Sequence, residues 1–136
     1  MVMDWKECLN KRIVKEVSKD KNLILSLKET AELKIKSANS LSREFSIVKV
    51  TVLYDSLREY LEALSIQTGY KIYNHECYTV FLKEVMKKPE EAKHFDKIRR
   101  IRNDINYYGR KLSEEESEVV IREIENLIEI VKRLIR

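Results

Sequence analysis

The chain has 136 residues, enough to bury one core and too few for two. Two glycines and one proline leave few positions for the tight turns of a sandwich or barrel, while abundant Leu, Ile, Lys and Glu favour helices. A net charge of +4 with a pI near 9.0 is too mild to name nucleic acid as a partner by itself, and a charged fraction of 37% fits well-solvated helix faces. The expected fold is all-α, an up-and-down helical bundle of about five to six helices forming one domain over 1–136.

No run of about 18 apolar residues occurs, and Met1-Val2-Met3-Asp4-Trp5 lacks the basic-then-apolar order of a signal peptide. A cytoplasmic protein with no membrane partner is expected. Cys8 and Cys77 stand far apart without Cys-x-x-Cys spacing, which gives little support to a disulfide or a zinc site, so both are expected to be reduced and half-buried.

Along the chain, Trp5, Leu9, Ile13 and Val17 recur every four residues and predict a helix from Asp4 to Ser18. Asp20 can cap a second helix through Leu23, Leu27, Ala31, Ala38 and Leu41, fading at Ser40 to Ser42, with a short link at Arg43 and Glu44. Val50, Leu53, Tyr54, Leu57, Leu61 and Leu64 form a wide apolar stripe, which predicts a central third helix stopped by Gly69. Asn74 can cap a fourth helix with Cys77, Phe81 and Val85 inward, and Pro89 suits the start of a new helix after a turn near Lys87 to Glu91. Phe95, Ile98, Ile101, Ile105 and Tyr108 give a fifth helix from Ala92 to about Tyr108, ended by Gly109. Ser113 with Glu116 reads as a capping box before a last helix carrying Val120, Ile124, Leu127, Val131 and Leu134.

Chemistry concentrates on the fifth helix. Between Lys93 and Lys111 seven Lys or Arg face two acids, Asp96 and Asp104. At 100° per residue the apolar stripe is centred between Ile98 and Ile105, and Arg102 projects about 60° from that centre. Asn106 follows one turn later on the same side, a pairing of guanidinium and amide suited to phosphate, with Arg99 near the same edge. Arg100, Asn103 and Tyr107 point outward as a flanking surface for a nucleic-acid backbone and bases. The plain structural alternative is an Arg102 that snorkels and pairs with a carboxylate of the last helix.

Ile101-Arg102-Asn103-Asp104-Ile105-Asn106-Tyr107-Tyr108-Gly109, followed by a capped amphipathic helix, resembles the final motif of the HEPN superfamily, named for higher eukaryotes and prokaryotes nucleotide-binding domains. Tyr54 to Leu82, with Glu62-Ala63, Gly69-Tyr70-Lys71 and His75-Glu76, resembles its central helix pair. The resemblance covers about residues 50–136, and the first two helices match in kind only. It implies a helical bundle that homodimerises through the motif helices, and prokaryotic toxin–antitoxin-type partners.

Many members of that superfamily are metal-independent ribonucleases whose motif is Arg, four to six residues, then His, often with a polar residue directly after the Arg. Carried over, Arg102 matches the arginine and Asn103 the polar residue. The histidine does not carry over: its possible positions hold Tyr107, Tyr108 and Gly109. A tyrosine with an ordinary pKa near 10 moves protons poorly at neutral pH, so the loss points to binding rather than cutting. Arg102 to Tyr107 is instead similar to a branch with Arg, two residues, a small apolar residue, Asp and Tyr, with Asn106 at the Asp position.

Three functions follow as expectations. The first is an RNA- or nucleotide-phosphate-binding or toxin–antitoxin-type interaction module using Arg99, Arg102, Asn103, Asn106 and Tyr107. The second is a weak metal-independent ribonuclease in which Arg102 stabilises the phosphorane and Tyr107 or His94 moves the proton. The third is a protein partner of a small nucleotidyltransferase, with Tyr107 or Tyr108 as acceptor or contact.

His75 reads as a capping or packing residue, and His94, a little over two turns before Arg102, could act only from another subunit of a dimer. His75, Glu76 and Cys77 are consecutive and diverge around a helix, so no metal is expected, and without a glycine-rich phosphate loop no cofactor is expected either. Tyr70, Tyr73 and Tyr78 flank a turn and are expected to keep their hydroxyls in solvent or to stack bases.

Overall fold

The widest apolar stripe in the sequence becomes the axis of the molecule. In the computed structural model, helix α3 (Ser46–Thr68) buries Val50, Leu53, Tyr54, Leu57, Tyr60, Leu61 and Leu64 and packs mainly against α2 (Lys21–Asn39) and α6 (Glu114–Leu134). Around them run α1 (Trp5–Asn10), α4 (His75–Val80) and α5 (Pro89–Tyr108), with two short strands, β1 (Val14–Glu16) and β2 (Tyr70–Ile72). Residues 3–136 are described; the first two residues of the N-terminal stretch read above lie outside them. The result is an all-α bundle of six helices with a small two-stranded sheet among the described residues.

Helix boundaries follow local chemistry. Asp20 accepts from the Leu23 N–H at 3.0 Å to open α2, and Asn74 accepts from the Glu76 N–H at 2.6 Å to open α4. Ser113 and Glu116 exchange reciprocal 3.0 Å bonds as a capping box for α6. Gly69 (φ 102°) and Gly109 (φ 66°) close α3 and α5 in the left-handed region, where a side chain would be strained. Close approach of α2 to α3 rests on two fully buried small residues, Ala31 and Ala38, and on the Ser56 hydroxyl, which donates to the Ala31 carbonyl at 2.9 Å.

The N-terminal segment departs from its period. The predicted helix over Asp4 to Ser18 stops at Asn10: Arg12 turns to φ 58°, the Ile13 N–H donates back to the Cys8 carbonyl at 3.0 Å, and Val14–Glu16 pairs antiparallel with Tyr70–Ile72. The steps of four at Ile13 and Val17 coincide with a β-branched stretch, Ile13-Val14 and Val17, which suits an extended strand. Gly69 contributes to both elements, capping α3 while its carbonyl accepts from the Val17 N–H at 2.9 Å. A second departure follows α4, which widens into a π-helical turn over Phe81–Val85 and holds the Trp5 N–H through Glu84 at 3.3 Å. Val85, expected inward there, is only partly buried.

Cys8 and Cys77 also correct the sequence reading. Their Cα atoms are 6.3 Å apart, their sulfurs are joined in a disulfide, and both are fully buried, not reduced and half-exposed. Spacing in sequence could not show this, because the bond depends on the strand pairing that folds α1 back onto α4.

Candidate nucleic-acid interface

Helix α5 is amphipathic, with Phe95 and Ile98 fully buried and Ile101 and Ile105 half-buried beside the core. That placement puts Arg99 and Arg102 at the mouth of the α3–α4–α5 junction, with the other basic side chains of the segment elsewhere on it. Most are paired locally. Asp96 takes Arg99 (2.8 Å) and Arg100 (3.1 Å) together, Asp104 takes Arg110 (3.3 Å), and Lys97 reaches Glu123 on α6 (3.3 Å).

Arg102 differs. Among the described residues no carboxylate pairs with it, so the pairing with the last helix considered above does not form. Its guanidinium carbon lies 5.2 Å from the centre of the Tyr54 ring and 5.9 Å from that of Tyr107, within cation–π range of both. Its only side-chain hydrogen bond among the described residues is a long 3.4 Å contact to Asn103 Oδ1, and its buried Nε has no acceptor. A guanidinium with five N–H donors and one weak acceptor retains capacity for an incoming anion.

That capacity opens onto a groove of about 300 Å³ lined by Asn74, His75, Glu76, Arg99, Arg102, Asn103 and Tyr107. Four of the five predicted phosphate-binding residues thus come together: Arg99, Arg102, Asn103 and Tyr107. Asn103 and Tyr107, expected to point outward, both line the groove. Asn106 does not; it is exposed on α5 and is not part of the groove lining. Tyr107 and Tyr108 are 69% and 82% exposed at the end of the helix. His94 opens instead onto larger clefts flanked by Lys93, Lys97 and Arg100 on one side and by α6 on the other.

His75 is the residue that sequence reasoning placed elsewhere. It stands at the start of α4, yet it lines the same groove as Arg102, and its Nδ1 meets the Tyr54 hydroxyl at 2.9 Å. Burial, assisted by Arg58 and Arg102, lowers its pKa to about 4, so the ring is neutral near pH 7. Burial likewise pushes the Tyr54 hydroxyl above its usual range, leaving it protonated. Neither spacing nor capping chemistry in the sequence could show that α4 and α5 converge here.

Glu62 of α3 is buried between Arg58 (2.9 Å) and Lys71 of β2. Burial raises its pKa, but the hydrogen bond and charge of Lys71, then those of Arg58, outweigh that and hold it below the usual carboxylate range. Tyr78 is buried too, which corrects the expectation of a solvent-facing hydroxyl. Tyr73 alone of its group is well exposed, with Lys15 and Lys71 over its ring, while Tyr70 packs edge-on against Trp5. No helix among the described residues is long and apolar enough to cross a membrane. Comparison with protein-family models, curated proteins and solved structures finds no match to this chain.

Proposed function

We propose that this chain is a HEPN-like module that binds RNA through its phosphates, with Arg102 as the principal ligand. The observation that carries the reading is an arginine without a carboxylate partner among the described residues, oriented by two tyrosine rings over a polar groove. Its groove neighbour Arg99 pairs with Asp96, whereas Arg102 has no acid partner among the described residues and keeps its donors for a ligand. Asn103 adds an amide beside it, and exposed Tyr107 offers a face on which a base can stack. The resemblance adds two expectations, a homodimer through the motif helices and a toxin–antitoxin-type setting.

Binding of single-stranded RNA, without added metal, by wild type and Arg102→Gln at low and high salt tests this. Wild type binds with salt-sensitive affinity, and the variant loses about tenfold or more, the scale of a charge-assisted contact. Equal affinity in the two proteins, with circular dichroism unchanged, contradicts the proposal. Cleavage of the RNA that disappears in Arg102→Gln would replace binding with the ribonuclease reading.

A further inference from the structure

We infer that His75 is a second phosphate-binding residue of the Arg102 groove, presenting Nε2–H as a neutral donor because the Tyr54 hydroxyl occupies its Nδ1. The inference rests on the functional reading above and adds to it a ligand from a different helix, which the motif on α5 does not contain.

The tautomer follows from hydrogen-bond accounting. Tyr54 is fully buried, and its hydroxyl has His75 Nδ1 as its hydrogen-bond partner at 2.9 Å. A buried hydroxyl that accepted from Nδ1–H would leave its own proton without an acceptor, at the cost of an unsatisfied donor. The arrangement that satisfies both groups has Tyr54 donating to Nδ1, which places the single imidazole proton on Nε2. Nδ1 faces the buried Tyr54, so the ring edge left to the groove is the one that carries Nε2.

The surroundings suit a neutral donor. Burial first, then Arg58 on α3 with Arg102 and Arg99 on α5, lowers the pKa of the ring, while Asp55 on α3 raises it and is outweighed. Glu76 on α4, with Asn103 and Tyr107 on α5, completes the lining of the groove. Arg102 lies over the ring of Tyr54, whose hydroxyl holds His75, so the two donors share one support. A phosphodiester oxygen entering the groove meets a guanidinium from α5 and an imidazole N–H from α4. Tyr54 itself is a positioning residue, buried beneath both.

This differs from proton transfer, in which the groove nitrogen must be unprotonated to take a proton from a ribose hydroxyl. A donor already carrying its proton binds the anion and leaves the RNA intact.

The test uses the full chain and a single-stranded RNA oligonucleotide without terminal phosphates, and reads affinity, cleavage and the His75 ring nitrogens. Long-range proton–nitrogen NMR of the free protein near neutral pH should show His75 protonated at Nε2, with mixed tautomers in Tyr54→Phe. His75→Leu should bind about tenfold more weakly, whereas His75→Gln, whose amide can donate from near the Nε2 position, should retain most of the affinity. Tyr54→Phe should show a smaller loss than His75→Leu.

If Arg102→Gln has no effect, the groove is not the binding site and the inference falls with that reading. If Arg102→Gln weakens binding while folded His75→Leu does not, the RNA reading stands and His75 is a packing residue. Protonation at Nδ1 in the free protein, or cleavage lost in both His75→Leu and His75→Gln, overturns the donor assignment in favour of proton transfer.

Discussion

Arg102 and His75 show how differently two residues of one groove reveal themselves. Arg102 was legible because a cation at the edge of an apolar stripe breaks the helical pattern, and among the described residues no carboxylate pairs with it. His75 was not legible, since its position after Asn74 has a sufficient local explanation and its link to Arg102 runs through Tyr54 on a third helix. Its lowered pKa has a consequence for stability. Because the folded-state value, about 4, lies below that of the unfolded chain, near 6.5, the neutral ring supports the fold fully above the latter and loses that support as pH falls towards the former. Wild type should therefore lose stability between these two values in denaturant titrations, and His75→Gln should lose less over the same window; identical slopes would show that burial does not hold the ring neutral. Glu62 is held below the carboxylate range, so its contribution persists above the unfolded value and disappears only at more acid pH. Glu62→Ala strands Arg58 and Lys71 together and should cost about 2 kcal/mol in chemical denaturation, because both partners remain partly solvated.

Elements were legible where capping and period agreed. Asp20, Asn74, Ser113 and the two glycines mark starts and stops that the structure repeats, and the stripe from Val50 to Leu64 is indeed central. The N-terminal segment was misread because four apolar residues at helical spacing also include the β-branched residues that extend once Arg12 turns the chain. With the strand came the disulfide, since pairing of Val14–Glu16 with Tyr70–Ile72 draws Cys8 against Cys77. A cross-link spanning 69 residues restricts the unfolded chain by about 4 kcal/mol in the chain-entropy account. Reduction should then lower the thermal midpoint by about 10–20 °C, and a double variant, Cys8→Ser with Cys77→Ser, should no longer respond to reductant. Oxidised and reduced wild type melting together would rule out that contribution.

At the scale of the whole molecule, a central helix buried on nearly every side fixes the junction where α4 and α5 meet, and Arg99 and Arg102 of α5 lie at its mouth. Local pairing is the notable feature of the basic segment as a whole. Arg99 and Arg100 share Asp96, Arg110 pairs with Asp104 and Lys97 with Glu123, so few basic side chains keep all their donors for a ligand. Binding should accordingly depend on few contacts, with a shallow salt dependence in which the Arg102 contact adds about 0.7 to the magnitude of the log–log slope for single-stranded RNA. The most direct measurement is the affinity of wild type and Arg102→Gln for single-stranded RNA across a salt series without metal, with helicity checked in both. The account predicts weaker binding and a shallower slope in the variant; equal affinities and equal slopes would contradict it.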